Sequence, residues 1–221
     1  MKKISKEYSE QKKILRIFKF LAITLGHFVL RSSLHAKEYV NKDALYMHPE
    51  KMYWLCRVMA KRWTKDNIEV VVAPAVGGVI LSQWVAYHLQ KITRKTVLSV
   101  YADKDGKEFV LKRGYDKVIK GKRVLVVEDI VTTGGSVKKV VELVRANGGI
   151  VVGVSALCNR GKVSSSDVGN PSRFDALLDL EIETWTEKEC PACARGLPIN
   201  TDLGKGAEYL ANKKVFNDKS T

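Results

Sequence analysis

Glu128 and Asp129 follow the β-branched run Val124-Leu-Val-Val and precede Thr132-Thr133-Gly134-Gly135-Ser136 by only two residues. The run reads as a buried parallel strand, and ligands of open parallel sheets gather outside the carboxyl ends of such strands. The small turn after it offers backbone N–H groups, hydroxyls and the positive end of a following helix, which together bind a phosphate. Two carboxylates repel a phosphate, but they accept hydrogen bonds from a diol. The segment therefore fits a ligand with hydroxyls about one ribose width from a phosphate. A plain strand–turn–helix with an N-terminal cap at Thr133 or Ser136 would use the same residue types. The lysine of a Walker loop and the spacing of a dinucleotide fingerprint are both missing, which removes support for an ATPase or a dehydrogenase.

Ala73-Pro-Ala-Val-Gly77-Gly78 ends a second strand-like run in small residues. Backbone amides can approach an anion closely there, although any glycine-containing βα turn looks the same. Residues 102–115 gather Lys104, Lys107, Lys112 and Arg113 around Gly106 and Gly114. Such a run is by default a solvated loop; placed over a site it would stabilise a departing anion and exclude water. Arg160 follows another strand-like run and reads alone as a surface arginine, although its planar guanidinium suits a carboxylate. Cys190-Pro-Ala-Cys193 is the one CxxC, and the other cysteines, Cys56 and Cys158, are distant. Structural zinc wants four ligands, so the expectation is reduced, partly buried thiols and no metal held by the protein.

The elements that must position these residues alternate. Ile14, Leu15, Phe18, Leu21 and Leu25 fall at helical spacing, as in an amphipathic first helix. Residues 28–42 lack a helical period and read as a hairpin or irregular segment, and 49–64 as a helix with Pro49 in its first turn. Strands are expected at 68–73, 96–101, 123–129, 150–156 and 176–182, with helices from 78 to about 90 and over 136–147. Residues 102–122 show no period. This order implies an α/β fold, a doubly wound and mostly parallel sheet, in a single domain spanning 1–221.

The 221 residues carry a formal charge of +14, which suits nucleic acid, an anionic membrane or a small substrate with several phosphates. Part of the excess is solvated lysine, as at Lys213 and Lys214. No stretch reaches the ~18 uncharged apolar residues of a membrane span. Phe20 to Leu30 imitates a signal peptide, but Arg16, Lys19 and His27 break the pattern, so a folded cytoplasmic protein is expected.

Val124 to Ser136 resembles the phosphoribosyl pyrophosphate motif of type I phosphoribosyltransferases, and the resemblance runs from about residue 20 to 200. Gly26-His-Phe-Val-Leu-Arg31-Ser-Ser-Leu-His35 is similar to the hood of the orotate-specific members, Ala73 to Gly78 to their pyrophosphate loop, and Lys104 to Gly114 to their mobile catalytic loop. Ala176 to Pro198 resembles the C-terminal stretch of a bacterial and archaeal branch. The resemblance implies transfer of 5-phosphoribosyl from phosphoribosyl pyrophosphate to orotate, in pyrimidine biosynthesis, with Mg²⁺ as cofactor. It assigns the ribose hydroxyls to Glu128 and Asp129 and the 5′-phosphate to Thr132, Thr133, Gly134, Gly135 and Ser136. It places pyrophosphate at Gly77 and Gly78, catalytic cations at Lys104 and Lys107, and the orotate carboxylate at Arg160, with Arg31 as a further substrate contact. It also implies a hood from about 20–48 and the C-terminal segment, and a homodimer whose mobile loop completes the neighbouring site. Departures are Gly77, where some members have lysine, Asn159, often aspartate, and Arg31, elsewhere lysine or threonine. Tyr39 and Val40 match positions that pack on the base in some members, and equally suit a core. Two rivals are a type I enzyme for another base, such as a purine, and a nucleic-acid-binding regulator of the same fold. The chain has no recognised nucleic-acid motif, and its acid pair would repel a phosphate backbone.

Overall fold

The computed structural model describes residues 2–218, with side chains for 8–213; the solvated lysine expected at 214 lies outside the described side chains. In chain order the elements are α1 (Lys2–Ile17), β1 (Ile23–Val29), β2 (His35–Val40), α2 (Lys42–Tyr46), α3 (Pro49–Lys61), β3 (Val70–Pro74), α4 (Gly78–Thr93), β4 (Leu98–Asp105), β5 (Glu108–Val110), α5 (Tyr115–Ile119), β6 (Arg123–Val131), α6 (Gly135–Ala146), β7 (Ile150–Asn159), β8 (Phe174–Asp179), β9 (Thr184–Trp185), α7 (Pro191–Ala194) and α8 (Gly206–Asp218). They form two compact units: the chain through Leu15 with Tyr46–Leu180, and Arg16–Leu45 with the chain from Glu181 onward.

The first unit holds a six-stranded sheet in the order β5-β4-β3-β6-β7-β8. All neighbours are parallel except β4 and β5, which form an antiparallel hairpin at the edge. The parallel strands therefore run in spatial order 2-1-3-4-5, and the direction of winding reverses between β3 and β6. The strands are β-branched because both faces are covered. Val70, Val72, Val124, Val126 and Val154 pack with Val137, Val140, Val141 and Val144 of α6. Helix α4 packs against β3, β4 and β6, and α3 against α4. Gly153 in β7 leaves room for Trp63, since a Cβ there would lie 2.2 Å from the indole ring.

The second unit is built on the antiparallel sheet β1-β2-β9. Strands β1 and β2 pair as a hairpin, one of the two readings left open for 28–42, but the first helix stops earlier than its apolar spacing predicts. It ends at Ile17 and passes through a π-helical turn, Phe18–Ala22. Leu25 then lies in β1 opposite Glu38 and is 74% exposed. Strand pairing thus overrides a weak helical period. A second correction concerns residues 102–122. Strand β4 continues to Asp105, turns through Gly106 at φ 60° and returns as β5, pairing Lys104 with Phe109 and Asp105 with Glu108. Beyond β8 the sequence reading expected neither β9 nor α8.

Candidate active site

In a sheet wound in this order, a crevice opens at the carboxyl ends of the two strands that flank the reversal. Here those ends are Pro74 of β3 and Val131 of β6, so the loop at 75–77 and the turn at 132–134 border one crevice. Both are segments whose small residues drew attention in the sequence.

Asp129 is only 3% exposed and is fixed from two sides. Its Oδ1 accepts the Ile130 N–H at 2.7 Å, and its Oδ2 accepts the Tyr46 hydroxyl at 3.2 Å. Burial, with Asp129 as the next cause, pushes the Tyr46 phenol far above its ordinary range, so Tyr46 stays a donor. Glu128 is half-buried and its carboxylate accepts the Asp129 N–H at 3.1 Å.

The turn after β6 is built by glycine. Gly134 has φ 78°, and a Cβ on it would lie 2.5 Å from the Asp167 carbonyl oxygen. It is also the N-cap of α6 and makes no side-chain cap. The side-chain cap at Thr133 or Ser136, the alternative reading of this turn, is thus not formed, and the opening N–H groups of α6, which have no intrahelical partner, are left to a ligand or water. Thr132, Thr133, Gly135 and Ser136 are exposed.

Arg160 lies directly beyond β7, and its N–H donates to the Val131 carbonyl at 2.8 Å. A Cβ on the next residue, Gly161, would sit 1.6 Å from the Thr132 carbonyl oxygen, so the chain presses against the phosphate-type turn. Asn159 holds this bend closed. Its Oδ1 accepts the Val163 N–H at 3.0 Å, while its Nδ2 donates to the Val163 carbonyl and to Asp179, each at 3.0 Å. Aspartate could not make those two donations. The departure at 159 therefore has a structural reason.

At the β3 end, Gly78 opens α4 against its own strand; a Cβ would lie 2.6 Å from that of Ala73. Gly77 is the N-cap of α4. Lys104 and Lys107 project from the β4–β5 hairpin, both exposed, and neither has an ion-pair partner among the described residues. Lys139 of α6 pairs with Glu108 at 2.7 Å, and Arg113 pairs with Asp103 within the segment. Arg113, one of the four cations in this run, is thereby committed within it.

Glu128, Asp129, the turn 132–136, Gly77, Gly78, Arg160 and the two lysines thus all lie at or beyond the carboxyl ends of β4, β3, β6 and β7. Arg31 does not belong to this unit; it is exposed in the β1–β2 turn. Tyr39 packs against Phe28 with ring centroids 5.5 Å apart and tilted planes, and Val40 is 4% exposed, both inside the second unit. The cysteine reading needs correcting in one respect. Cys190 and Cys193 have His27 and His35 beside them, so four ligand-type side chains meet there, not two. Sequence reasoning missed those histidines as partners, the Tyr46 contact and the role of Asn159. No spacing rule could have found Tyr46.

The phosphoribosyl transferase domain family matches residues 42–187. The chain is 39% identical over 193 residues to an orotate phosphoribosyltransferase of Caldanaerobacter subterraneus subsp. tengcongensis, covering 86% of this chain and 95% of the relative. Among solved structures, Mycobacterium tuberculosis orotate phosphoribosyltransferase with Fe(III) dicitrate superposes with a TM-score of 0.64 at 22% identity, over 77% of this chain and 97% of that one. The same enzyme in complex with 5-phospho-α-D-ribosyl 1-diphosphate gives 0.58 at 22% identity, over 77% and 96%. The domain match and the identity over nearly the whole length lead to one conclusion: the chain belongs to the phosphoribosyltransferase family, in its orotate phosphoribosyltransferase branch.

Proposed function

We propose that the protein transfers 5-phosphoribosyl from phosphoribosyl pyrophosphate to N1 of orotate, giving orotidine 5′-monophosphate and pyrophosphate in pyrimidine biosynthesis. The observation that carries this reading is the acid pair and the glycine turn on one strand end, facing the Gly77–Gly78 turn across the point where the sheet reverses. In this reading Glu128 and Asp129 accept the ribose hydroxyls, and the amides and hydroxyls of 132–136 take the 5′-phosphate. With both ends of the ribose held, C1′ stays in place while its bond to pyrophosphate breaks. The bonding electrons leave with pyrophosphate, and the N1 anion of orotate supplies the new pair. Catalysis is then positioning plus charge stabilisation. Lys104 and Lys107 face the growing negative charge, the backbone at Gly77 and Gly78 receives the pyrophosphate, and Arg160 pairs with the orotate carboxylate. For Arg31 the support for a substrate role is the family resemblance alone.

Mg²⁺ prefers oxygen ligands and keeps much of its water. The donor set fits an ion of that kind carried mainly by the substrate, since both oxygens of Asp129 already accept protein hydrogen bonds. Glu128 and Asp129 would hold it only through the ribose, and its contribution would be to neutralise charge on the pyrophosphate. We further assign the working form as a cytoplasmic homodimer in which the β4–β5 hairpin serves the neighbouring site. Four free cysteines suit a reducing compartment, and no helix among the described residues is long and apolar enough to cross a membrane. Pyrophosphate release with orotate, compared with uracil and adenine, tests the reading. Turnover confined to orotate is expected; preference for a purine would refute it.

A further inference from the structure

The second unit contains a side-chain cluster that the reaction does not use. His27 lies in β1 and His35 opens β2, while Cys190 immediately precedes α7 and Cys193 lies within it. Cys190 is 163 residues from His27 in sequence. The ligand atoms of all four nevertheless lie within 4.8 Å of one another. His27 Nε2 is 2.8 Å from His35 Nδ1 and 3.6 Å from each cysteine Sγ, and Cys193 Sγ is 3.3 Å from His35 Nδ1. A tetrahedral zinc ion with bonds of about 2.3 Å to sulfur and about 2.0–2.1 Å to nitrogen sets its sulfur and nitrogen ligands about 3.5 Å apart. The three sulfur–nitrogen distances match that separation. The two nitrogens would open by about 0.5 Å to reach the same geometry.

Proton bookkeeping points the same way. His27 Nδ1 lies 2.9 Å from the Leu197 carbonyl, which can only accept, so the proton is on Nδ1 and Nε2 turns a lone pair into the cluster. A backbone carbonyl on the far nitrogen is the arrangement that fixes the tautomer and ring orientation of a metal-ligating histidine. His35 is fully buried, with Nδ1 in the cluster and Tyr209 edge-on to its ring at 5.3 Å. As a purely hydrogen-bonded cluster this would be a poor one, because thiols are weak donors and only one hydrogen bond, between the two imidazoles at 2.8 Å, joins its nitrogens. Two thiolates and two neutral imidazoles instead cancel the charge of a divalent ion, which suits a buried site. Four protein ligands close the coordination sphere, the mark of a structural rather than a catalytic zinc.

We propose that His27, His35, Cys190 and Cys193 bind one zinc ion, which pins the C-terminal segment to the N-terminal hairpin within the second unit. The unit needs such a staple. It is a three-stranded sheet whose last strand has two residues, and it joins chain segments from the two ends of the sequence. Small units of this kind commonly lean on a metal for stability. The proposal does not depend on the reaction assigned above.

The full chain, purified without chelator, should carry about one zinc per chain by elemental analysis, retained through gel filtration. Replacing zinc with Co²⁺ should produce tetrahedral ligand-field bands and a thiolate charge-transfer band. Stripping zinc should lower Tm by on the order of 5–10 °C relative to protein with zinc at 100-fold over its Kd. Cys193→Ser, a near-isosteric change at a partly exposed position, should abolish both the stoichiometric metal and the chelator effect. Cys56→Ala, outside the cluster, should keep the zinc. If Cys193→Ser fails to fold, the Co²⁺ spectrum of the unmodified chain still decides, since only thiolate ligation produces the charge-transfer band. Absence of stoichiometric zinc after reconstitution would overturn the proposal. So would a Co²⁺ form without that band, or zinc retained by Cys193→Ser.

Discussion

Replacing Asp129 by asparagine should separate stability from activity. The carboxylate is 3% exposed and accepts from the Ile130 N–H at 2.7 Å and the Tyr46 hydroxyl at 3.2 Å. Asparagine keeps the shape. Its Oδ1 can still accept from Ile130, and its amide can donate to the Tyr46 oxygen, which is able to accept. Removing a buried charge also relieves desolvation, so the folding free energy should move by less than about 1 kcal/mol, or roughly 2–4 °C in Tm for a chain of this size. The substrate feels the opposite change. A hydrogen bond from a ribose hydroxyl to a carboxylate is worth about 1.5–3 kcal/mol, and losing it lowers kcat/KM for phosphoribosyl pyrophosphate about 10- to 150-fold. Initial rates of pyrophosphate release at varied phosphoribosyl pyrophosphate, beside a thermal melt, measure both quantities. Near-normal kcat/KM in a folded variant would refute the ribose assignment. A collapse of Tm that accounts for the lost activity would show Asp129 to be structural instead.

Three further outcomes follow from the same geometry. Arg160→Ala should lower kcat/KM for orotate by a factor of tens to several hundred, from the about 2–4 kcal/mol of a charge-assisted contact, and leave phosphoribosyl pyrophosphate affinity nearly unchanged; equal loss of both in direct binding and rate measurements would make the arginine structural. Gly134→Ala forces a side chain to φ 78° and 2.5 Å from the Asp167 carbonyl oxygen, so Tm should fall by several degrees and phosphoribosyl pyrophosphate binding with it; a silent substitution by calorimetry would rule out the tight turn. The fold should also have an alkaline limit. Burial pushes the Cys158 thiol up to about 12 and raises Cys56 and Tyr46 as well, while their unfolded values are about 8.5 and 10. Between those limits the unfolded chain loses protons that the folded chain keeps, so stability falls as pH rises, by up to about 1.4 kcal/mol per pH unit for each group. A Tm that stays level from pH 8 to 10.5 would contradict those burials.

What was legible in the sequence and what was not divides along a physical line. The β6 motif was readable because its parts are adjacent: strand, acids, turn and helix N-terminus occupy 123–146 without interruption. The valine face of α6 was readable for the same reason, since period and burial coincide at Val137, Val140, Val141 and Val144. Local pattern misled where distant pairing decides. Leu25 keeps helical spacing with Phe18 and Leu21 but pairs with Glu38 in a sheet, and Lys104 and Lys107 stand on a hairpin that no alternation announced.

The cysteine pair is the sharpest case, because a sound rule was applied there to too few residues. Structural zinc does want four ligands. Counting cysteines alone found two ligand-type side chains, and the two beside them are histidines distant in sequence, visible only once β1, β2 and α7 are placed. His27 had even been noted, but as an interruption in an apolar run. A buried histidine has to satisfy two nitrogens, and a carbonyl takes one of them here. The other must face something that wants a lone pair. That nitrogen lies 2.8 Å from His35 Nδ1 and 3.6 Å from each cysteine sulfur, so its lone pair points into the cluster, and it is on that placement, more than on the CxxC, that the zinc proposal rests.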